Sequence, residues 1–170
     1  SIFRIDDISK FKAKQVKKIL EEINDKNKVR TFHEDLSEQN VFLTESDLIL
    51  DLTNEMKTNE IVNKFAVEKK IPYIMANYVG DEGNIVILNH KNWKKKMACL
   101  NCLKDKLELK PVVEKGVYSP VTLLLSALVL NLVTKILLEK EIEHNYISVN
   151  MLNHEIKHEK IEKNKSCDLC

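Results

Sequence analysis

The chain carries four cysteines as two Cys-x-x-Cys pairs, Cys99 with Cys102 and Cys167 with Cys170. Sixty-four residues lie between the pairs. Four thiolates at this internal spacing suit a tetrahedral zinc ion with no open coordination position, which makes the metal structural rather than catalytic. Such a site folds the end of the chain back onto its middle and so limits every topology the chain can adopt. Two other readings stand beside it: two unrelated pairs, or one redox-active Cys-x-x-Cys with a bystander. The gap is far longer than the ~15–20 residues between the knuckles of a compact zinc ribbon. The opening residues, Ile2 to Asp7, lack the apolar run of a secretory signal. Paired cysteines in a reducing compartment read as metal ligands rather than disulfides. The expectation is therefore a cytoplasmic protein with zinc at Cys99, Cys102, Cys167 and Cys170.

Charge narrows the function classes. The 170 residues hold 27 basic and 26 acidic side chains, a net charge of +1. A dominant basic field for nucleic acid or an anionic membrane is not indicated. Only Arg4 and Arg30 are arginines, so bidentate guanidinium clamps for phosphate or carboxylate are scarce. Gly80, Gly83 and Gly116 are the three glycines. No glycine-rich phosphate loop, GxGxxG or GxxxxGK[ST], can be written with them. The lysine clusters, Lys17-Lys18, Lys69-Lys70 and Lys94 to Lys96, read as solvated faces.

Hydrophobic periodicity predicts an α/β chain. Residues 7–24 place Ile8, Phe11, Val16, Ile19, Leu20 and Ile23 at helical spacing. Lys28 to Phe32 is a short strand candidate, and residues 34–44 a polar connection with a helical turn. The near-continuous apolar run Asp47 to Leu52 (DLILDL) has the look of a strand buried on both faces. A helix over 55–69 follows, then strands over 73–78 and 84–88 with Gly80 and Gly83 in the turn. The most apolar stretch, Val121 to Leu138, is too short and too interrupted by Asn131 and Lys135 for a membrane span. It predicts a buried helix opened by Ser119 as N-cap and Pro120 at the first position. Residues 146–149 and 155–162 read as a terminal strand pair. The alternation predicts a partial, mostly parallel Rossmann-like sheet over about 1–90. The zinc knuckle, buried helix and terminal strands occupy about 91–170.

The order of motifs resembles the ThiF/MoeB/HesA family, the ATP-dependent activating enzymes of ubiquitin-like and sulfur-carrier proteins. Asp7-Ile8-Ser9-Lys10-Phe11-Lys12 resembles the family's D-I-G-x-x-K helix start. Leu48 to Glu55 (LILDLTNE) resembles its D-x-T-D-N strand end. Pro72 to Ile85 resembles its P-x-x strand and E-G-x-x turn, and Val113 to Pro120 its approach to a long apolar helix. The cysteine pairs fall where the family holds structural zinc. The resemblance covers essentially all 170 residues. It implies the C-terminal portion of an adenylating domain, acting on the C-terminal glycine of a ubiquitin-like or sulfur-carrier protein as a homodimer or heterodimer. It also implies nucleotide or magnesium positions at Lys12, Asp51 and Asn54.

Departures from the family pattern qualify that implication. The family's glycine-rich loop and ribose-binding acid lie upstream of the segment that Ser1 begins. ATP and magnesium are therefore expected only if that nucleotide-binding segment is supplied. Asn54 stands where the family has its magnesium-binding aspartate, and an amide brings no charge to the ion. Asn59 stands where an arginine is common. Val112 stands where many members carry a nucleophilic cysteine, so no thioester can form there. On its own the chain is expected neither to bind ATP tightly nor to adenylate. The alternative is a degenerate, non-catalytic, zinc-stabilised scaffold or partner subunit of an activating-enzyme dimer; a generic α/β domain with a zinc clip is the third reading. His154 and His158 are expected to share a strand face, and Trp93 to pack under a loop.

Overall fold

The computed structural model describes residues 2–88, 98–104 and 116–170. Val112, Trp93, Lys94 to Lys96 and the Val113 to Lys115 part of the helix approach lie outside the described residues. Two compact units divide the chain, Ser1–Leu36 and Ser37–Cys170.

In the first unit a 3-10 turn, Ile5–Asp7, precedes helix α1, Lys12–Ile23. The Arg4 backbone N–H donates to Asp7 Oδ2 at 2.8 Å and closes the turn. The helix begins at Lys12 rather than Asp7 because Ser9 takes a left-handed φ of 65°. That conformation cannot be continued into a right-handed helix. Lys28 to Phe32, expected as a strand, is irregular. A strand persists only as part of a ladder, and none of the described sheet pairings involves this segment.

The second unit is built on a sheet whose strands follow one another in space as they do in sequence. They are β1 (Ile49–Asp51), β2 (Tyr73–Val79), β3 (Glu82–Leu88), β4 (Tyr146–Asn150) and β5 (Glu155–Glu159). A 3-10 turn, Val41–Thr44, comes before β1 and confirms a helical turn in the polar connection. Helix α2, Met56–Lys69, links β1 to β2, and that pair is parallel with Asp51 opposite Met75. The other three described pairings are antiparallel, so the mostly parallel sheet expected from the element order is corrected. Only Gly80 and Asp81 separate β2 from β3. A two-residue link makes a hairpin, whereas a parallel pair needs a crossover of a dozen or more residues. Gly80 supplies the left-handed φ of 62° that this turn requires. The terminal strand pair stands as expected, although β5 ends at Glu159.

A helix covers each face of this sheet. Helix α4, Ser119–Leu137, buries Val121, Leu125, Val129, Leu132 and Ile136, one stripe at three- and four-residue spacing. That stripe meets Ile74, Ala76, Ile85, Ile87, Ile147 and Val149 from β2, β3 and β4. At about 2 kcal/mol per fully buried aliphatic side chain, the stripe is what holds α4 to the sheet. Leu123, Leu130 and Leu137 are all more than 60% exposed, so the helix is buried on one face rather than throughout. Contrary to the expectation that the stretch is too short and too interrupted for a span, the helix is long and apolar enough by length and composition to cross a membrane, a test that a core helix packed on a sheet also passes. Its N-cap is Tyr118 rather than Ser119, and it has no side-chain cap bond. Gly83 allows the close approach of helix to sheet, because a Cβ there would sit 2.7 Å from Leu125 Cδ1.

On the opposite face α2 packs against β1 and β2. Strand β1 lies at one end of the sheet and alternates: Ile49 and Asp51 are buried, while Leu50 is 44% exposed. The expected burial on both faces fails because the Leu50 side opens on a groove shared with Leu52, Tyr78 and α4 rather than on a packed layer. Short helix α3, Leu100–Lys104, carries Cys102 and docks on α2, where the Leu100 backbone N–H donates to Asn63 Oδ1 at 3.0 Å.

Candidate functional site

The C-terminal end of β1 is where an open α/β sheet presents ligand-binding groups. Here the chain places Asp51, Thr53 and Asn54. Asp51 is 3% exposed and its two oxygens accept four hydrogen bonds. Oδ1 takes the Thr53 hydroxyl at 2.7 Å and the Thr53 backbone N–H at 3.1 Å. Oδ2 takes Asn59 Nδ2 at 2.7 Å and the Tyr73 hydroxyl at 2.8 Å. A carboxylate has about four acceptor positions, so this one is saturated by the protein itself. Burial, followed by the charge of Asp51, pushes the Tyr73 hydroxyl far above its ordinary pKa, so it remains a donor. Asp51 is the hub that ties β1, α2 and β2 together.

Asn54 is also committed. Its φ of 57° is left-handed, a conformation asparagine tolerates better than most residues. Its amide bonds the Tyr78 backbone on both sides: Nδ2 donates to Tyr78 O at 3.2 Å, and Tyr78 N donates to Oδ1 at 3.1 Å. The side chain thus imitates a peptide group and prolongs the β1–β2 contact past the end of β1. An aspartate could accept from Tyr78 N–H but would set a charged oxygen against Tyr78 C=O. Asn54→Asp is expected to cost about 1–2 kcal/mol at neutral pH, the cost of one unsatisfied and repelled polar contact. Protonation restores a donor, so the loss should shrink as pH falls toward ~4, the ordinary carboxylate range. Thermal unfolding at neutral and acid pH checks this, and a variant as stable as the parent at neutral pH would remove the clip assignment.

Lys12, the third expected nucleotide position, opens α1 in the first unit and is exposed. Asn59, noted in the sequence only as a departure, is 2% exposed and is a working member of the Asp51 hub, also donating to Thr53 Oγ1 at 3.3 Å. Tyr73 was not legible as a partner, because no local spacing joins it to a residue 22 positions earlier. His154 sits in the turn before β5 with φ 55°, so it does not share a strand face with His158 as expected.

The four cysteines converge. Their sulfurs all lie within 4.8 Å of one another. Cys99–Cys102 Sγ–Sγ is 3.9 Å, Cys99–Cys167 3.5 Å, Cys102–Cys170 3.5 Å and Cys167–Cys170 3.6 Å. Tetrahedral Zn–S bonds of ~2.3 Å place sulfurs roughly 3.8 Å apart, so the donor set fits a zinc ion. The separations are far beyond the ~2 Å of a disulfide. The Asn164 backbone N–H donates to Cys102 Sγ at 3.4 Å, supporting the sulfur from outside the set. Burial raises the Cys99 thiol well above its ordinary value. At Cys167 burial acts in the same sense but is outweighed by backbone N–H groups of Cys170 and Leu169 and by the Cys102 and Cys99 thiols, and the value falls to about 6. This cluster could hold a metal ion and would leave it no open position.

Comparison with known proteins follows the same line. The ThiF family model matches residues 1–169. "Adenylyltransferase and sulfurtransferase UBA4" of Meyerozyma guilliermondii is 28% identical over 87 residues, which is 50% of this chain and 20% of that protein. "Adenylyltransferase and sulfurtransferase MOCS3" of Culex quinquefasciatus is 28% identical over 94 residues, 54% of this chain and 20% of that protein. The crystal structure of E. coli MccB with ATP superposes with a TM-score of 0.78 at 21% identity, covering 99% of this chain and 53% of MccB. PaaA superposes with a TM-score of 0.69 at 20% identity, covering 95% of this chain and 51% of PaaA. The chain thus spans about half of these solved structures, and the stretches matched in the two sequence relatives make up about a fifth of each.

Proposed function

Because the chain belongs to the ThiF family, we propose that it is part of an ATP-dependent activating enzyme. The reaction would adenylate the C-terminal glycine of a ubiquitin-like or sulfur-carrier protein, or a peptide that resembles one. The observation that carries this reading is the family match over residues 1–169 together with the fold shared with MccB. In this reading the 170 residues supply the sheet, its α4 core and a structural zinc clip. The phosphate cradle comes from outside them, since three glycines provide no phosphate loop. ATP and Mg²⁺ would bind only once that cradle is supplied. Lys12, Asp51 and Asn54 would then be vestigial nucleotide positions. Saturation of Asp51 and the backbone clip of Asn54 support that status, because the Asp51 oxygens are filled by the protein and the Asn54 amide is held against the Tyr78 backbone. The assembly would be a cytoplasmic homodimer or heterodimer with a related subunit.

The same two residues favour a second reading, a non-catalytic zinc-stabilised scaffold within an activating-enzyme dimer. ATP–pyrophosphate exchange separates the two. The 170-residue chain, tested with glycine-terminated carriers, is expected to show no exchange and no micromolar ATP–Mg²⁺ binding by calorimetry. The longest natural reading frame is expected to support exchange. Exchange by the 170 residues alone would overturn the division of labour. Absence of exchange from the longest frame, with the partner subunit absent or present, would leave only the scaffold.

A further inference from the structure

The strand pair β4–β5 carries a cluster that the activating-enzyme reading does not use. His144 lies just before β4 and His158 on β5. Their rings meet edge to face, with centroids 4.4 Å apart and planes inclined at 67°. His158 Nδ1 and His144 Nε2 are 3.2 Å apart. The placement is built into the backbone. Asn145, next to His144, is fully buried, and its amide clips Ile161 on both sides: Nδ2 donates to Ile161 O at 2.9 Å, and Ile161 N donates to Oδ1 at 2.7 Å. The Asn145 backbone N–H adds a bond to Glu159 O at 3.1 Å. These bonds fix the register, with Ile147 opposite His158. The backbone that carries both imidazoles is therefore set before a ligand arrives.

We propose that His144 Nε2 and His158 Nδ1 form a two-histidine chelate for a divalent transition-metal ion of the zinc, nickel or copper class. The site is separate from the four-cysteine cluster. Imidazole nitrogens suit these ions. With metal–nitrogen bonds of ~2.0–2.1 Å, a 3.2 Å bite subtends roughly 100° at the metal, between the square and the tetrahedral angle. Solvent completes the coordination, since His158 is exposed. Chelation needs both rings neutral. Burial first, then the charges of His158 and Lys135, lower the pKa of His144, against the opposing pull of Glu143. Without metal, one of the two facing nitrogens carries the N–H that the other accepts. On chelation that proton moves through solvent to the other nitrogen of the same ring, so both rings stay neutral and both facing nitrogens are free for the ion.

The test uses the 170-residue protein with its cysteine site already loaded with zinc, titrated with Ni²⁺ and followed by imidazole proton NMR. The chain has five histidines, His33, His90, His144, His154 and His158. The ring signals of His144 and His158 should broaden before the other three. His144→Ala and His158→Ala should each weaken Ni²⁺ binding by about a hundredfold, the loss expected when a chelate becomes a single ligand. His154→Ala should leave it unchanged. Uniform broadening of all five rings, or equal affinity in both single variants and the parent, would overturn the proposal and leave a proton-sharing pair only. Circular dichroism of each variant establishes that the fold is retained.

Discussion

Cys167→Ala is expected to lower the melting temperature of the chain by about 10 °C and to abolish the binding of one zinc ion per chain. The residue is chosen because it is partly exposed in the last segment, whereas Cys99 and Cys102 are buried at 2% and 6%. Its loss therefore breaks the clip without opening a core cavity. A tetrahedral cross-link between the Cys99–Cys102 knuckle and the tail closes a loop of 64 residues. Chain entropy values such closure at about 4 kcal/mol. At ~2–4 °C per kcal/mol for a chain of this size, that is the stated shift. The domain should not unfold outright, because the α4–sheet core does not depend on the metal. Amide exchange should accelerate first around Asn164, whose N–H points at Cys102 Sγ. Metal analysis of the parent protein is the independent check. Absence of zinc, with four freely titratable thiols, would sink the clip whatever the variant does.

Asp51→Ala is expected to be the most damaging single substitution outside the cysteines, costing about 3–5 kcal/mol. Removing one partner from a buried charged network leaves the others without compensation. Here the Tyr73 hydroxyl and the Asn59 amide lose their acceptor inside the structure, while Thr53 is exposed and can turn to water. Each unsatisfied group adds about 1–3 kcal/mol, partly relieved by relaxation. Asp51→Asn should cost less, since it keeps an oxygen for Thr53 and its new amide can meet the Tyr73 oxygen, although that amide then faces the Asn59 donor without accepting from it. Tyr73→Phe removes a single donor and should cost only about 1 kcal/mol. Denaturant midpoints for the three variants test the order. If Asp51→Ala cost no more than Tyr73→Phe, Asp51 would be a free ligand position rather than a hub.

Local patterns carried much of this structure. The helix over Ser119–Leu137, the strands around Tyr73 and Ile85 and the terminal hairpin follow from periodicity and from Pro120 and Gly80 as punctuation. Strand direction was missed, although its signal was present: two residues between β2 and β3 leave no room for a crossover. Lys28 to Phe32 had strand-like composition but pairs with no strand among the described residues, and composition cannot report a neighbour. Asp51 and Asn54 were visible as positions in a family motif. Their commitment to Asn59, Tyr73 and Tyr78 was not, because hydrogen bonds over 8, 22 and 24 positions leave no periodic trace.

By itself the sequence determined the family, the absence of a phosphate loop among these residues, and which four cysteines could hold a metal ion. Those are properties of residue type and spacing, which survive without coordinates. The tertiary structure alone decided that the sulfurs stand at metal-binding distance, that the sheet runs mostly antiparallel, and that two polar side chains at the strand end are spent on the fold. It also decided that His158 meets His144 rather than His154. Each of these depends on which backbone atoms face which, and that is set by the register of β1 to β5 and by nothing in any short stretch of chain.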